Sequence, residues 1–290
     1  MELFPHAKIN LSLYITGRRE DGYHLLDTIY WPVALFDSLK IEPGEPLSLE
    51  AEQSISGPDN LLLKAWQLLH RRYGIPPLRM VLEKRIPWEA GLGGGSGDAA
   101  ALLLACNRIF RLGIRGEDLE KLGETLGADV PAALREEAVR GRGIGTDLEA
   151  FESSLKLPLL ILKPSEGFST AAMYKAWDEG QGGSFSPEEV EERQRALMAA
   201  LGGDSIRGIL PYLHNDFESV LKEKARRIFD QARDLLGESG AAAAMLCGSG
   251  SALFGLYETQ EKRKTGMEEL EKRLPEGWIL RTPQLEFPKI

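Results

Sequence analysis

Along residues 7–16 apolar and polar side chains alternate, Ile9, Leu11, Leu13 and Ile15 falling between Lys8, Asn10, Ser12 and Tyr14. A period of two predicts a half-buried strand and sets Lys8 and Asn10 on one face. The turn signal Asp21-Gly22 leads into a second strand over 25–31, with Tyr23 and His24 at its start. Residues 35–52 predict two further strands around the turn Pro43-Gly44-Glu45-Pro46. The period then lengthens. Leu61, Leu62, Ala65, Trp66, Leu68 and Leu69 recur at helical spacing, predicting a helix over 61–72 that Asn60 is placed to cap. A strand over 78–86 follows, and then a helix over 98–112 so apolar on every side that it is expected to be buried. A short amphipathic helix over 117–126 is stopped by Gly127, and Asp129 stands where a cap belongs for a helix opening at Pro131.

The pattern changes character near residues 151–156, so two domains are expected, 1–155 and 156–290. In the second, the predicted elements are a strand over 157–162, helices over 219–236 and 261–274, and a strand over 278–282. Two strand arms within 243–257 flank Gly248-Ser249-Gly250, and residues 179–204 read as a mobile surface insertion around a helix over 187–201. Helices following one another around a hairpin predict an α+β layer with an antiparallel sheet. The chain shows no internal repeat.

Composition narrows the partners. The 290 residues are 43% hydrophobic and 27% charged, with a net charge of −9. These are ordinary globular values, and the acidity argues against nucleic acid or an anionic membrane as the main partner. A polyphosphate would have to be held by local donors. Cys106 and Cys247 form no metal-spaced pair and read as reduced core residues. Residues 1–5 lack the basic and apolar regions of a secretion signal, and no apolar run reaches membrane-spanning length, so a soluble, cytoplasmic protein is expected.

The densest chemical signal is residues 87–101, Pro-Trp-Glu-Ala-Gly-Leu-Gly-Gly-Gly-Ser-Gly-Asp-Ala-Ala-Ala. Gly91, Gly93, Gly94, Gly95 and Gly97 run straight into a strong helix former. Without Cβ atoms, a backbone can take up positive φ and let an anion approach its N–H groups. The helix N-terminus behind it adds donors and partial positive charge, which suit a phosphate. Ser96 offers a hydroxyl; Asp98 is placed to cap the helix or to approach a metal. No lysine follows the glycines, which excludes a Walker A loop, and the glycine spacing departs from the dinucleotide fingerprint. A flexible glycine turn is the bland alternative.

Pro-x-x-x-Gly-Leu-Gly-Gly-Gly-Ser-x-Asp-Ala-Ala, from Pro87 to Ala100, resembles the phosphate loop of the GHMP kinases. Ala-Lys-Ile-Asn-Leu at 7–11, Asp-Gly-Tyr-His at 21–24 and Leu-Gly-Ala-Asp-Val-Pro at 126–131 narrow the likeness to the diphosphocytidyl-methylerythritol kinase family of the non-mevalonate isoprenoid pathway. Thr170-x-x-x-Tyr174-Lys175, Asn215-Asp216-Phe217-Glu218 and the turn Gly248-Ser249-Gly250 are similar to further family segments. The family usually has a second Ser where this chain has Gly97.

The resemblance implies an α+β, two-domain architecture, with an N-terminal domain like ribosomal protein S5 and a ferredoxin-like C-terminal layer. It implies an ATP- and Mg²⁺-dependent kinase acting on the 2-hydroxyl of 4-diphosphocytidyl-2-C-methyl-D-erythritol. Asp129 would be the general base with Lys8 beside it; Pro87, Gly91, Leu92, Gly93, Gly94, Gly95, Ser96 and Gly97 would hold ATP, with Asn60 on the adenine side. Asn10, Tyr23, His24, Thr170, Tyr174, Gly248 and Ser249 would face the substrate, the aromatic rings stacking on cytosine. On the residues alone, Asn60 and Asp129 remain plain helix caps, Tyr174 a core ring, and Arg140 and Arg142 either phosphate contacts or solvated turn charges. A homoserine- or phosphomevalonate-type kinase, or a nucleotide-binding regulator, are the alternative functions. A monomer and a homodimer are both open.

Overall fold

The computed structural model describes residues 1–52, 57–180, 183 and 185–284. In chain order its strands and helices begin with β1 (Glu2–Leu3), β2 (His6–Arg18), β3 (His24–Phe36), β4 (Ser38–Pro43), β5 (Ser48–Glu50) and α1 (Leu61–Tyr73). Next come β6 (Leu78–Glu83), α2 (Gly94–Ile109), α3 (Gly116–Glu124), α4 (Val130–Ala133), β7 (Val139–Arg142) and β8 (Asp147–Ala150). Then follow β9 (Leu159–Lys163), α5 (Thr170–Glu179), α6 (Pro187–Leu201), β10 (His214–Asn215), α7 (Phe217–Val220) and α8 (Glu223–Glu238). β11 (Ala243–Leu246), β12 (Leu253–Leu256), α9 (Gln260–Arg273) and β13 (Ile279–Arg281) complete the described chain. Among the described residues no helix is long and apolar enough to cross a membrane.

The chain forms two compact units. One comprises Met1–Lys8, Leu35–Trp88 and Gly93–Glu136; the other comprises Ile9–Ala34, Glu89–Leu92 and Glu137–Ile290. A single cut between residues 155 and 156 therefore does not describe how contacts divide the chain. The reason is strand pairing. β3 pairs with β7 (Thr28 opposite Gly141), and β10 runs parallel to β2 (His214 opposite Ser12), which ties the N-terminal hairpin to later segments.

In the first unit a four-stranded sheet, ordered β1-β4-β6-β5, shares a core with α1 and α2. Along β6, Leu78, Met80 and Leu82 point into that core while Arg79 and Glu83 are exposed, as a period of two requires. β4 and β5, expected as neighbours around one turn, instead flank β6 on opposite sides, antiparallel and parallel to it respectively. α1 starts where Asn60 accepts the Leu62 N–H at 2.8 Å and stops at Gly74, whose φ of 68° suits a residue without a Cβ.

The second unit holds a five-stranded sheet, β10-β2-β3-β7-β8, and an antiparallel four-stranded sheet, β11-β12-β9-β13. The residues expected as a surface insertion contain α6 over the expected span, closed by a Ser186–Glu189 capping box. It is packed rather than peripheral: Gln194, Leu197 and Leu201 are fully buried. Gln194 accepts from Ser12 at 2.6 Å and donates to Asp27 at 2.7 Å, linkages that sequence spacing does not reveal. Gln181, Gly182 and Ser184 of that stretch lie outside the described residues. The helix expected over 219–236 is two, because Leu221 and Lys222 take up extended backbone between α7 and α8.

Candidate active site

α2 begins at Gly94, four residues ahead of the expected start, so Gly94, Gly95, Ser96 and Gly97 form its first turn. Glycine is a poor helix former, and close packing explains Gly94 and Gly97 together with the N-cap Gly93. A Cβ on Gly93, whose φ is 70°, would meet the Lys8 side chain at 2.9 Å; one on Gly94 would meet Lys84 Nζ and Ile86 at 3.0 Å. One on Gly97 would lie 2.7 Å from the His6 carbonyl oxygen, so the side chain usual in the family has no room here. The N-cap residue Gly93 supplies no side-chain acceptor. The leading N–H groups of a helix have no intrahelical partner, which leaves this end suited to an anion. The helix buries Ala99, Ala100, Leu102, Leu103 and Cys106, while Leu104 and Ile109 are exposed, so it is not sealed on every side.

In the same unit Lys8 Nζ lies 3.2 Å from Asp129 Oδ2. The lysine side chain is 9% exposed and the aspartate 36%, so the pair opens to solvent on its carboxylate side. Asp129 occupies the N-cap position of α4 but makes no side-chain capping bond. Its cap role is therefore not the one observed. Lys8 has packed against Gly93, which brings an ammonium, a carboxylate and the start of α2 into one place.

Asp98 neither caps α2 nor faces solvent. Its Oδ2 accepts from Lys84 at 2.9 Å, and Lys84 also donates to Asp37. Burial, assisted by Asp37 and opposed by Lys84, pushes the Asp98 carboxyl up to about 7. Lys84 is itself raised: burial works against its charge, but the two carboxylates outweigh it. Among the described residues no group of three or more His, Cys, Asp or Glu is arranged to hold a metal ion. Pro87 is buried beside the loop, and Asn60 acts as the α1 cap already described.

The second unit carries the remaining candidates. The His24 ring stacks on Tyr174, with centroids 4.4 Å apart and planes at 15°. Tyr174 meets Phe217 edge-on at 5.0 Å, so it both packs on the core and presents a face. His24 Nε2 lies 2.7 Å from Asp178, which also pairs with Arg18 at 3.1 Å. The hydrogen bond to His24 holds the Asp178 carboxyl below its usual range, helped by the charges of His24 and Arg18. Tyr23 is 61% exposed. Asn10 is buried and donates to Thr28 Oγ1 at 2.8 Å.

Thr170 and Ser249 hydroxyls lie 2.7 Å apart, and Asn215 donates to the carbonyls of Leu246 and Gly248, fixing the 248–250 turn. Glu89–Leu92 docks on that turn: Ser251 and Ala252 donate to the carbonyls of Glu89 and Ala90. A Cβ on Gly91 would overlap the Cys247 carbonyl, which is why only glycine fits there. Leu92 is buried. Arg140 is not a phosphate contact, since it is buried between Asp27 and Glu191, and Arg142 pairs with Glu149 at 3.3 Å. Sequence reasoning missed Asp37, Lys84 and Asp178. The last had one signal, its place four residues after Tyr174 on α5.

Residues 60–137 match the model of the GHMP kinases N terminal domain, and 196–276 that of the GHMP kinases C terminal domain. The chain is 40% identical over 285 residues to 4-diphosphocytidyl-2-C-methyl-D-erythritol kinase of Moorella thermoacetica, covering 97% of this chain and 99% of that one. It is 34% identical to the protein of the same name from Desulfitobacterium hafniense, covering 97% and 96%. A crystal structure of 4-(cytidine 5'-diphospho)-2C-methyl-D-erythritol kinase superposes with a TM-score of 0.80 at 32% identity, covering 98% of each chain. A homoserine kinase from Cytophaga hutchinsonii, at TM-score 0.71 and 18% identity, shares the fold.

Proposed function

Because the chain belongs to the 4-diphosphocytidyl-2-C-methyl-D-erythritol kinase family of GHMP kinases, we propose that this small-molecule kinase phosphorylates the 2-hydroxyl of that diphosphocytidyl compound with ATP. The observation that carries the catalytic assignment is the Lys8–Asp129 pair beside Gly93 at the start of α2.

Phosphoryl transfer asks a protein mainly for positioning and charge stabilisation. The glycine backbone from Gly91 to Gly97 and the Ser96 hydroxyl hold the phosphates of ATP, because close approach is possible only where no Cβ intervenes. Asn60 and Pro87 belong to the nucleotide side. Mg²⁺, entering with the nucleotide's phosphates, would supply neutralising charge there. Asp129 accepts the proton of the attacking hydroxyl as general base. Lys8 offsets the negative charge that develops on the substrate oxygen.

Tyr174 and His24 form the pyrimidine platform, with Tyr23 exposed beside them in sequence to close over the base. Asp178 orients the imidazole. Thr170, Gly248 and Ser249 line the substrate side, and Asn10 supports it through Thr28. On this reading ATP is held by residues 60–97, and the cytidine is shared between Tyr23 and His24 near the N-terminus and Tyr174 on α5, in a monomer or homodimer of the cytoplasm.

The test is ATP consumption with the diphosphocytidyl compound, run beside homoserine and phosphomevalonate. Turnover with the cytidine compound alone is expected. Turnover with another acceptor would remove Tyr23, His24 and Tyr174 from the site, and turnover with none would remove the kinase assignment.

A further inference from the structure

Beneath the first turn of α2 lies a closed group of three charges. Asp37 and Lys84 have side chains 0% and 9% exposed, and Asp98 4%. Asp37 is already engaged: Lys84 donates to one oxygen, and the N–H groups of Arg85 and Ile86 donate to the other at 2.6 and 2.8 Å. Asp98 is served on one oxygen only; its Oδ1 is buried without a hydrogen-bond partner. One ammonium therefore neutralises two carboxylates. A buried carboxylate oxygen without a donor is costly.

The group lies next to the anion-binding end of the helix, since Lys84 Nζ is what a Cβ on Gly94 would strike at 3.0 Å. The charges that act on Asp98 are those of Lys84 and Asp37; the neighbouring elements bring the Lys8–Asp129 pair to Gly93, the His6 carbonyl to Gly97 and the apolar Leu61 to Gly95. We propose that Asp98 takes up a proton from solvent when a nucleotide's phosphates bind at the start of α2. This rests on the reading of that helix end as the nucleotide site. Polyphosphate adds negative charge across a poorly screened interior, so the surplus carboxylate becomes less favourable and binds H⁺ on a carboxyl oxygen. With the proton between Asp98 and Asp37, two groups that repel become hydrogen-bonded. Burial already raises Asp98 to about 7, which puts the exchange in the neutral range.

Calorimetric titration with MgADP at pH 7.5, in two buffers of different ionisation enthalpy, reads the protons directly. Wild type is expected to take up about half a proton more per nucleotide than Asp98→Asn, if binding raises Asp98 by one further unit. The nucleotide's own protons cancel in that difference. Equal uptake by both proteins, with binding intact, overturns the inference alone. Loss of nucleotide binding in both overturns it together with the assignment of the helix end.

The nucleotide-free proteins supply a second readout. A carboxyl raised in the fold contributes stability below its unfolded value near 3.8 and loses it as pH rises through about 7. The Asn variant is thus expected to gain in Tm relative to wild type between pH 5 and pH 8; a gap independent of pH overturns the inference. Should the variant fail to fold, wild-type uptake corrected for the ionisation of MgADP itself decides, and no excess uptake across neutral pH sinks it.

Discussion

Two lysines of the first unit meet aspartates, and the two meetings differ in one respect that matters. Lys84 sits between Asp37 and Asp98 in a group shut off from solvent, whereas Lys8 meets Asp129 with the carboxylate 36% exposed. In the closed group, charge balance is internal and any change is felt as stability. The open pair keeps a carboxylate that solvent can reach, and on the proposed reading its worth appears only when a bound substrate reacts. Both lie against the glycines at the start of α2, so closeness to the glycine loop does not distinguish them. Access to solvent does.

The strongest way to break this contrast is Asp129→Asn. Loss of a general base is expected to lower kcat by about 10²–10⁴-fold. Tm should hardly move, because the pair is partly solvated. Steady-state kinetics beside a melting curve checks both, and an unfolded variant or an unchanged kcat would make Asp129 a structural group after all. Lys84→Met should do the reverse. It leaves two buried carboxylates unpaired, for an expected loss of about 3–5 kcal/mol in urea unfolding at pH 8; a loss under about 1 kcal/mol would show that the group is not closed. Gly97→Ser sharpens the picture of what lies between them. Its side chain would press on the His6 carbonyl, with an expected cost of about 1–3 kcal/mol. A neutral result would mean that the first strand yields easily.

Local chemistry was legible in the sequence where its cause is local. The alternation over residues 7–16 appears as β2, buried on both faces rather than one because Lys8, Asn10, Ser12 and Tyr14 are covered too. The helical spacing after residue 61 appears as α1. The glycine loop was legible because few other residues tolerate its backbone, though its helix begins at Gly94 since packing against Lys8, Lys84 and His6 outweighs glycine's poor propensity. Asp129 is the instructive case. Its place before Pro131 reads as a cap, yet its side chain makes no capping bond and meets Lys8, far away in sequence. Arg140 misleads for the same reason, its glycine-rich neighbours suggesting a turn while Asp27 and Glu191 bury it. Pairings across more than a hundred residues leave no periodic trace.

The N-terminal hairpin has a further consequence, for the order in which the protein is made. β2 and β3 leave the ribosome well before their partners, and the edge at Ser12–Leu13 is completed only by His214–Asn215. Asp27 meets its guanidinium at residue 140 and its amide at residue 194. At common rates of synthesis these partners arrive roughly 6–40 s after the edge does. Until then a strand pair with an unfilled edge and a buried-type carboxylate waits in water. Translation speed and whatever shields a nascent chain thereby become determinants of how much enzyme is recovered.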